Sequence, residues 1–261
     1  MATARPMIEV EEARLSFGGV RAVDGVSLSV ARGSITGLIG PNGAGKSSLF
    51  NIIAGRYRPT SGRVLLDGED VTGLPPHVLF AKGLARTFQI PAEFGNLTVR
   101  ENLMVVPAGQ SGERIWNAWF ARHRIRAEEE EIGRRADEVL AFLRLSHVAG
   151  ELASRLSGGQ KKLLELGRTM MAAPKVVLLD EIGAGVNKTL LAELAEDIRR
   201  LNRERGITFF LIEHDMELIG RLCDHVVCMA EGRVLVEGTA EAVRRDPRVL
   251  DAYLGGGRAA A

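Results

Sequence analysis

One stretch constrains this chain more than any other: Gly40-Pro41-Asn42-Gly43-Ala44-Gly45-Lys46-Ser47. It fits the pattern G-x-x-x-x-G-K-[ST], the signature of a phosphate-binding loop. The apolar run Ser34 to Ile39 before it reads as a buried strand, and Ser48 to Ala54 after it as a helix opening. Gly40, Gly43 and Gly45 let the backbone curl and bring its N–H groups close to phosphate oxygens with no Cβ in the way. The helix points its positive end at the same anion. Lys46 supplies a mobile point charge for the outer phosphates, and the Ser47 hydroxyl is placed to ligate magnesium.

The 261 residues suffice for one large core or two subdomains. A formal charge of +1 gives no reason for electrostatic capture of nucleic acid. Cys223 and Cys228 lie among apolar residues and are expected to pack as reduced thiols, without a disulfide framework or metal site. Met1 to Pro6 has no signal-peptide character. No segment approaches the run of about twenty apolar residues that spans a bilayer, so membrane association is expected only through a partner.

Met7 to Phe17 and Val20 to Val30 read as strands of a small antiparallel layer beside the nucleotide, with Phe17 at its lip, where a ring can stack on a base or simply pack. Arg63 to Val71 reads as a strand broken at Asp67-Gly68, and Leu84 to Phe88 as one ending at Gln89. From Ile90 the texture turns helical. Thr98 with Glu101 makes a capping box. Ala127 to Leu145 carries Ile132, Ala136, Val139, Leu140 and Leu143 at helical spacing. The acidic run Glu128 to Glu131 on this helix reads as a solvated face, and the basic run Arg122 to Arg126 as solvated or turned to a partner or lipid headgroups. Lys162 to Ala173 reads as a helix, Val176 to Leu179 as a buried strand, Thr189 to Arg205 as a helix stopped by Gly206, and Ile207 to Ile212 as another buried strand. Val226 to Met229 and Arg233 to Val236 form a final hairpin. The expected organisation is a nucleotide-binding core over 1–89 and 157–254, a helical subdomain over 90–156, and a loose tail over 255–261. Alternating strands and helices imply an α/β fold with a mostly parallel sheet and ligands at the strands' carboxyl ends.

Four further features suit nucleotide hydrolysis. Asp180-Glu181 follows a buried strand: Asp180 can hold magnesium through water, and Glu181 can polarise an attacking water. His214 ends the next strand and can bridge a terminal phosphate and that acid. Gln89 can hold a water or enter a magnesium shell without adding charge. Leu156-Ser157-Gly158-Gly159-Gln160 opens a helix, and reads either as a second anion site or as a plain helix cap. Two anion sites in one monomer make sense in a head-to-tail dimer, with each ATP between the loop of one subunit and this segment of the other.

In this order and spacing GPNGAGKSS, Gln89, LSGGQ, VVLLDE and His214 resemble the ATP-binding subunits of ABC transporters, over Met7 to about Leu254. The resemblance implies a P-loop NTPase (RecA-like) core with an antiparallel β subdomain and an inserted α-helical subdomain. It implies that Phe17 stacks on adenine and that Gly40, Pro41, Asn42, Gly43, Ala44, Gly45, Lys46, Ser47 and Ser48 hold the phosphates. Ser47, Gln89 and Asp180 would serve magnesium, Ser157, Gly158, Gly159 and Gln160 would form the signature, Glu181 would be the general base and His214 the switch. GLARTFQ at 83–89, AGVN at 184–187, IEHDM at 212–216 and the ending from Asp246-Pro247-Arg248 to Tyr253-Leu254 look like the branched-chain amino acid uptake subfamily, whose relatives also serve urea or short amides. Ile182, Asn187 and Lys188 stand where members of the wider ABC family often have proline, aspartate and proline. The implied partners are a second ATPase subunit, the same or similar, integral membrane permeases and, indirectly, a periplasmic or extracellular solute-binding protein, at the cytoplasmic face of the inner membrane. Nucleic acid is not an expected partner. A lipid or lipopolysaccharide exporter ATPase, a soluble ABC ATPase acting on ribosomes or DNA, and a non-catalytic nucleotide sensor are the alternatives. The single ATPase unit and modest insertion speak against the second, and the presence of Glu181 and His214 against the third.

Overall fold

The computed structural model describes residues 5–87, 93–113, 116, 119, 122–183 and 185–255. The chain divides into two compact units, Met1–Arg86 with Lys175–Ala261, and Thr87–Pro174.

The first unit holds two sheets. The smaller has strand order β2-β1-β4-β5, with β1 Ile8–Phe17, β2 Val20–Val30, β4 Ser61–Leu66 and β5 Glu69–Asp70, all antiparallel. In β1 the buried residues are Ile8 and Val10, then Ala13 and Leu15. A bulge at Glu11 and Glu12, with Glu12 at φ 48°, accounts for the skipped step. The extra residue shifts the alternation by one and keeps the apolar face inward.

The larger sheet joins β3 Ile35–Ile39, β6 Leu84–Arg86, β7 Val176–Asp180, β8 Thr208–Ile212, β9 His225–Ala230 and β10 Arg233–Gly238 in the order β10-β9-β3-β8-β7-β6. Five are parallel, and β10 closes one edge antiparallel to β9. Every residue of β3 and β8 is buried. Burial along the whole length, with mostly apolar residues, is what a parallel strand covered on both faces requires. Helices α1 Lys46–Ile53, α2 Pro76–Ala81, α6 Lys188–Arg205, α7 Met216–Leu222, α8 Ala240–Arg245 and α9 Pro247–Gly255 complete this unit. Phe50 of α1 packs on Phe210 of β8 with ring centroids 4.9 Å apart, which seats the first helix on the sheet centre. Arg233 pairs with Asp24 at 2.6 Å and ties β10 to the smaller sheet.

The second unit contains α3 Val99–Met104, α4 Arg122–Phe142 and α5 Gly158–Met171. Thr98 and Glu101 form the expected capping box. Buried Asn102 donates to the carbonyls of Phe94, Leu97 and Thr98 and accepts from the Phe94 N–H, so one amide organises the approach to α3. Ala136, Val139, Leu140 and Leu143 are buried as their spacing predicts, while Ile132 is only half-buried. Glu128 departs from the solvated-face reading: its carboxylate accepts from the Ser111 N–H at 2.9 Å and the Ser111 hydroxyl at 2.7 Å. These bonds hold the carboxyl below its ordinary range. The helix 158–171, assigned from sequence to the nucleotide-binding core, belongs to this unit. Gly167 lets it approach Leu143, Leu103 and Val139, which crowd the place a Cβ would take.

Candidate active site

Strands β3, β8 and β7 lie side by side, and each delivers part of one site at its carboxyl end. From β3 the chain enters the loop 40–45 and then α1. Gly40 sits at φ 147° and Gly45 at φ 95°. A Cβ on Gly40 would stand 2.1 Å from the Met229 carbonyl oxygen, and one on Gly45 2.2 Å from that of Ala22. These two glycines are therefore demanded by the protein's own backbone. Gly43, at φ 80° with open space around it, answers only the turn. Gly45 heads α1, which has no side-chain cap and no acid in its first turn. An uncapped helix end beside a glycine loop is fit to receive an anion through main-chain N–H groups.

Buried Lys46 donates from Nζ to the carbonyls of Gly40 at 2.7 Å and Pro41 at 2.9 Å. Burial pushes its pKa down, while Glu181, Cys228 and Asp180 pull it back. Ser47 is exposed on the first turn of α1, beside half-buried Ser48, with Asn42 exposed and Ala44 buried. Phe17 ends β1, half exposed at 48%, and meets Tyr57 edge-on with centroids 5.4 Å apart. The contact braces the ring, which stays accessible.

Asp180 is the last residue of β7, and Glu181 follows with φ 51°. The Glu181 N–H donates to the Ile212 carbonyl at 3.0 Å, which joins the ends of β7 and β8. Across this joint Glu181 Oε1 lies 3.1 Å from His214 Nε2. The two residues picked from separate strand ends therefore meet. Neither exposure, 27% for the Glu181 side chain and 42% for that of His214, closes them off from water.

Two residues gain roles that sequence reasoning left unassigned. Arg86, at the end of β6, donates to Asp180 Oδ2 at 2.9 Å and to Asn51 Oδ1 at 2.7 Å, so it braces the acid against α1. Glu213, only 4% exposed, accepts the Gly183 N–H on one oxygen at 2.8 Å and the His214 N–H on the other at 3.2 Å. Burial drives its carboxyl up despite these bonds. The sequence offered only an acid beside a histidine at a strand end; the Gly183 partner 30 residues away left no signal.

Ser157, Gly158, Gly159 and Gln160 lie in the other unit. There Ser157 and Gln160 close a capping box, with Ser157 Oγ accepting the Gln160 N–H and Gln160 Oε1 accepting the Ser157 N–H at 3.0 Å. The cap reading of this segment is the one realised within a single chain. Gln89 lies outside the described residues, as does Ala184. Ile182 is buried, Asn187 caps α6 by accepting the Leu190 N–H at 2.9 Å, and Lys188 opens that helix. Cys223 and Cys228 are free thiols. Among the described residues no group of three or more His, Cys, Asp or Glu can hold a metal alone. A divalent ion here needs a hydroxyl and substrate oxygens besides Asp180, a donor set that suits magnesium.

A glycine loop opening an uncapped helix, with acid and histidine at neighbouring strand ends, defines a nucleotide-hydrolysing α/β core of the phosphate-loop class. The ABC transporter family model matches residues 23–184, and a branched-chain amino acid ATP-binding cassette transporter model matches 233–259. The chain is 41% identical over 239 residues to the probable branched-chain amino acid transport ATP-binding protein LivG of Archaeoglobus fulgidus, covering 92% of this chain and 91% of that protein. It is 39% identical to the high-affinity branched-chain amino acid transport ATP-binding protein BraF of Pseudomonas aeruginosa, covering 97% and 99%. Among solved structures, the ADP conformation of an ATP-binding cassette of an ABC transporter superposes with a TM-score of 0.82 at 37% identity, covering 96% and 99%. The chain belongs to the ABC transporter family, as an ATP-binding, ATP-hydrolysing subunit.

Proposed function

We propose that this subunit energises uptake of branched-chain amino acids or related small solutes, urea and short amides among them. The observation that carries the solute class is similarity to LivG and BraF along almost the whole chain, with the branched-chain family model taking 233–259. Among the described residues no helix is long and apolar enough to cross a membrane. Its relatives LivG and BraF are named as transport ATP-binding proteins, and by that likeness the subunit works through integral membrane permeases at the cytoplasmic face of the inner membrane, with a solute-binding protein acting on their far side.

In this reading Phe17 stacks on adenine, and the loop 40–45 with the first turn of α1, Ser48 included, takes the phosphates. Lys46 turns its ammonium from the Gly40 and Pro41 carbonyls toward the outer phosphate oxygens. Ser47, Asp180 and Gln89 would hold magnesium, which neutralises charge on the terminal phosphates. Glu181 accepts a proton from the attacking water as the new O–P bond forms and the bond from γ-phosphorus to the bridging oxygen breaks, leaving ADP and phosphate. A His214 tautomer with its proton on Nε2 donates to Glu181 and aims that carboxylate. The 3.1 Å pair supports these roles. Ser157, Gly158, Gly159 and Gln160 of a second ATPase subunit, identical or similar, complete the site from outside, and ATP favours the closed form because only there does it touch both subunits.

The test is to purify the chain with its membrane partners and measure ATP hydrolysis in vesicles with the cognate binding protein. Branched-chain amino acids or related small solutes raise the rate if the reading holds. Membrane partners that carry lipid, or a rate indifferent to all such solutes, refute it.

A further inference from the structure

The C-terminal helix pair reaches the phosphate loop. Thr239 caps α8 by accepting the Ala242 N–H at 3.2 Å. Asp246 then links α8 to α9. Its carbonyl accepts the N–H groups of Val249 and Leu250, and its carboxylate accepts the Arg248 N–H at 2.9 Å and the Arg248 guanidinium at 3.0 and 2.8 Å. Val243 and Val249 are buried, one from each helix. Tyr253 follows Val249 by one helical turn and so shares its face. Its hydroxyl oxygen accepts the Gly40 N–H at 2.9 Å, across 213 residues of sequence.

Gly40 is the first residue of the phosphate loop, and it is held from three sides. Its N–H meets Tyr253, its carbonyl accepts from Lys46 Nζ at 2.7 Å, and its Cα is pressed against the Met229 carbonyl so closely that no side chain fits. The tyrosine fixes the peptide that enters Gly40, and the lysine the peptide that leaves it. If Lys46 turns to phosphate on ATP binding, Tyr253 remains as the polar contact on this residue. Tyr253 is 43% exposed as a residue, yet its hydroxyl is directed to the part-buried Gly40 N–H.

We infer that Tyr253 is a positioning residue for the phosphate loop: through Gly40 it presets the loop's first turn for nucleotide, and makes the C-terminal helix pair part of the nucleotide site. This gives a task to the segment 233–259 that the branched-chain family model matches. The inference rests on the ATP-binding reading of the loop.

Tyr253→Phe removes the oxygen and keeps the ring. The expected result in the full chain is a Kd for ATP and for ADP raised about five- to tenfold, the range that loss of one hydrogen bond to a partly buried N–H brings. KM for ATP rises in step, and kcat changes less. Hydrogen exchange at the Gly40 amide, followed by NMR, accelerates by a similar factor. A merely structural tyrosine would lower Tm and leave both readouts where they were. A Tyr253→Phe chain with wild-type nucleotide affinity and wild-type exchange at Gly40 overturns the inference while leaving ATP binding intact. A wild-type chain that binds no ATP overturns the reading beneath it.

Discussion

Glu213 makes a demanding test of how the two strand-end loops are held. Glu213→Gln keeps the shape, but an amide has one acceptor oxygen where the carboxylate has two. Either the Gly183 or the His214 N–H loses its acceptor and faces an NH2 group. A buried donor left unpaired costs about 1–3 kcal/mol. Removing a carboxylate that burial already disfavours returns part of this, so the net loss at neutral pH is about 1 kcal/mol. The pH dependence has a definite sign. The folded chain holds the Glu213 proton to higher pH than the unfolded chain. Below the ordinary glutamate pKa both states carry it and there is no penalty. As pH rises from that value through the elevated folded one, the unfolded chain releases its proton first and stability falls. The amide of the variant has no such titration, so the stability advantage of wild type over the variant is largest in acid and shrinks upward through this window. Urea unfolding of both proteins across the carboxylate range reads it directly. Activity responds as well, because Gly183 lies just beyond Glu181 and His214 holds the Glu181 carboxylate. Slack of about 1 Å at a reacting group costs on the order of a hundredfold. We expect kcat to fall about ten- to hundredfold with KM for ATP within about twofold. A Glu213→Gln chain with wild-type kcat and a stability difference flat with pH would refute the reasoning.

Arg86→Met strands Asp180 in a largely buried place and should destabilise the chain by about 3 kcal/mol in urea unfolding. The added change Asp180→Asn should recover part of that loss, and equal, additive losses would show that the pair is not coupled. Burial pushes the Cys223 thiol up to about 12 and that of Cys228 to about 11. Both should resist a thiol-specific disulfide reagent at neutral pH in the folded chain and react at once in denaturant; rapid native labelling would contradict this.

What was legible in the sequence was local or spaced by a fixed mechanism. The phosphate loop, the buried strands that lead to Asp180 and Ile212, the capping box at Thr98 and the helix cap at Ser157 each announce themselves within a few residues. Element starts were harder. α4 begins at Arg122, before its apolar stripe, because Arg124–Glu128 and Arg126–Glu130 ion pairs support the first turns in place of burial. α5 begins at Gly158, since the cap at Ser157 outweighs the poor helix propensity of two glycines. Long-range partners were not legible at all. Arg86 finds Asp180 across 94 residues and Tyr253 finds Gly40 across 213, and no spacing rule links such pairs. Glu181 and His214 were readable as a pair only because both close strands of one parallel sheet.

In the proposed mechanism ATP is held between two subunits, each lending half of every pocket. The direct measurement is sedimentation of the Glu181→Gln chain with and without magnesium-ATP, alone and within its membrane complex. Slow turnover, retained nucleotide and a lasting ATP-dependent dimer are the expected result. A loaded variant that stays monomeric in both settings would contradict it.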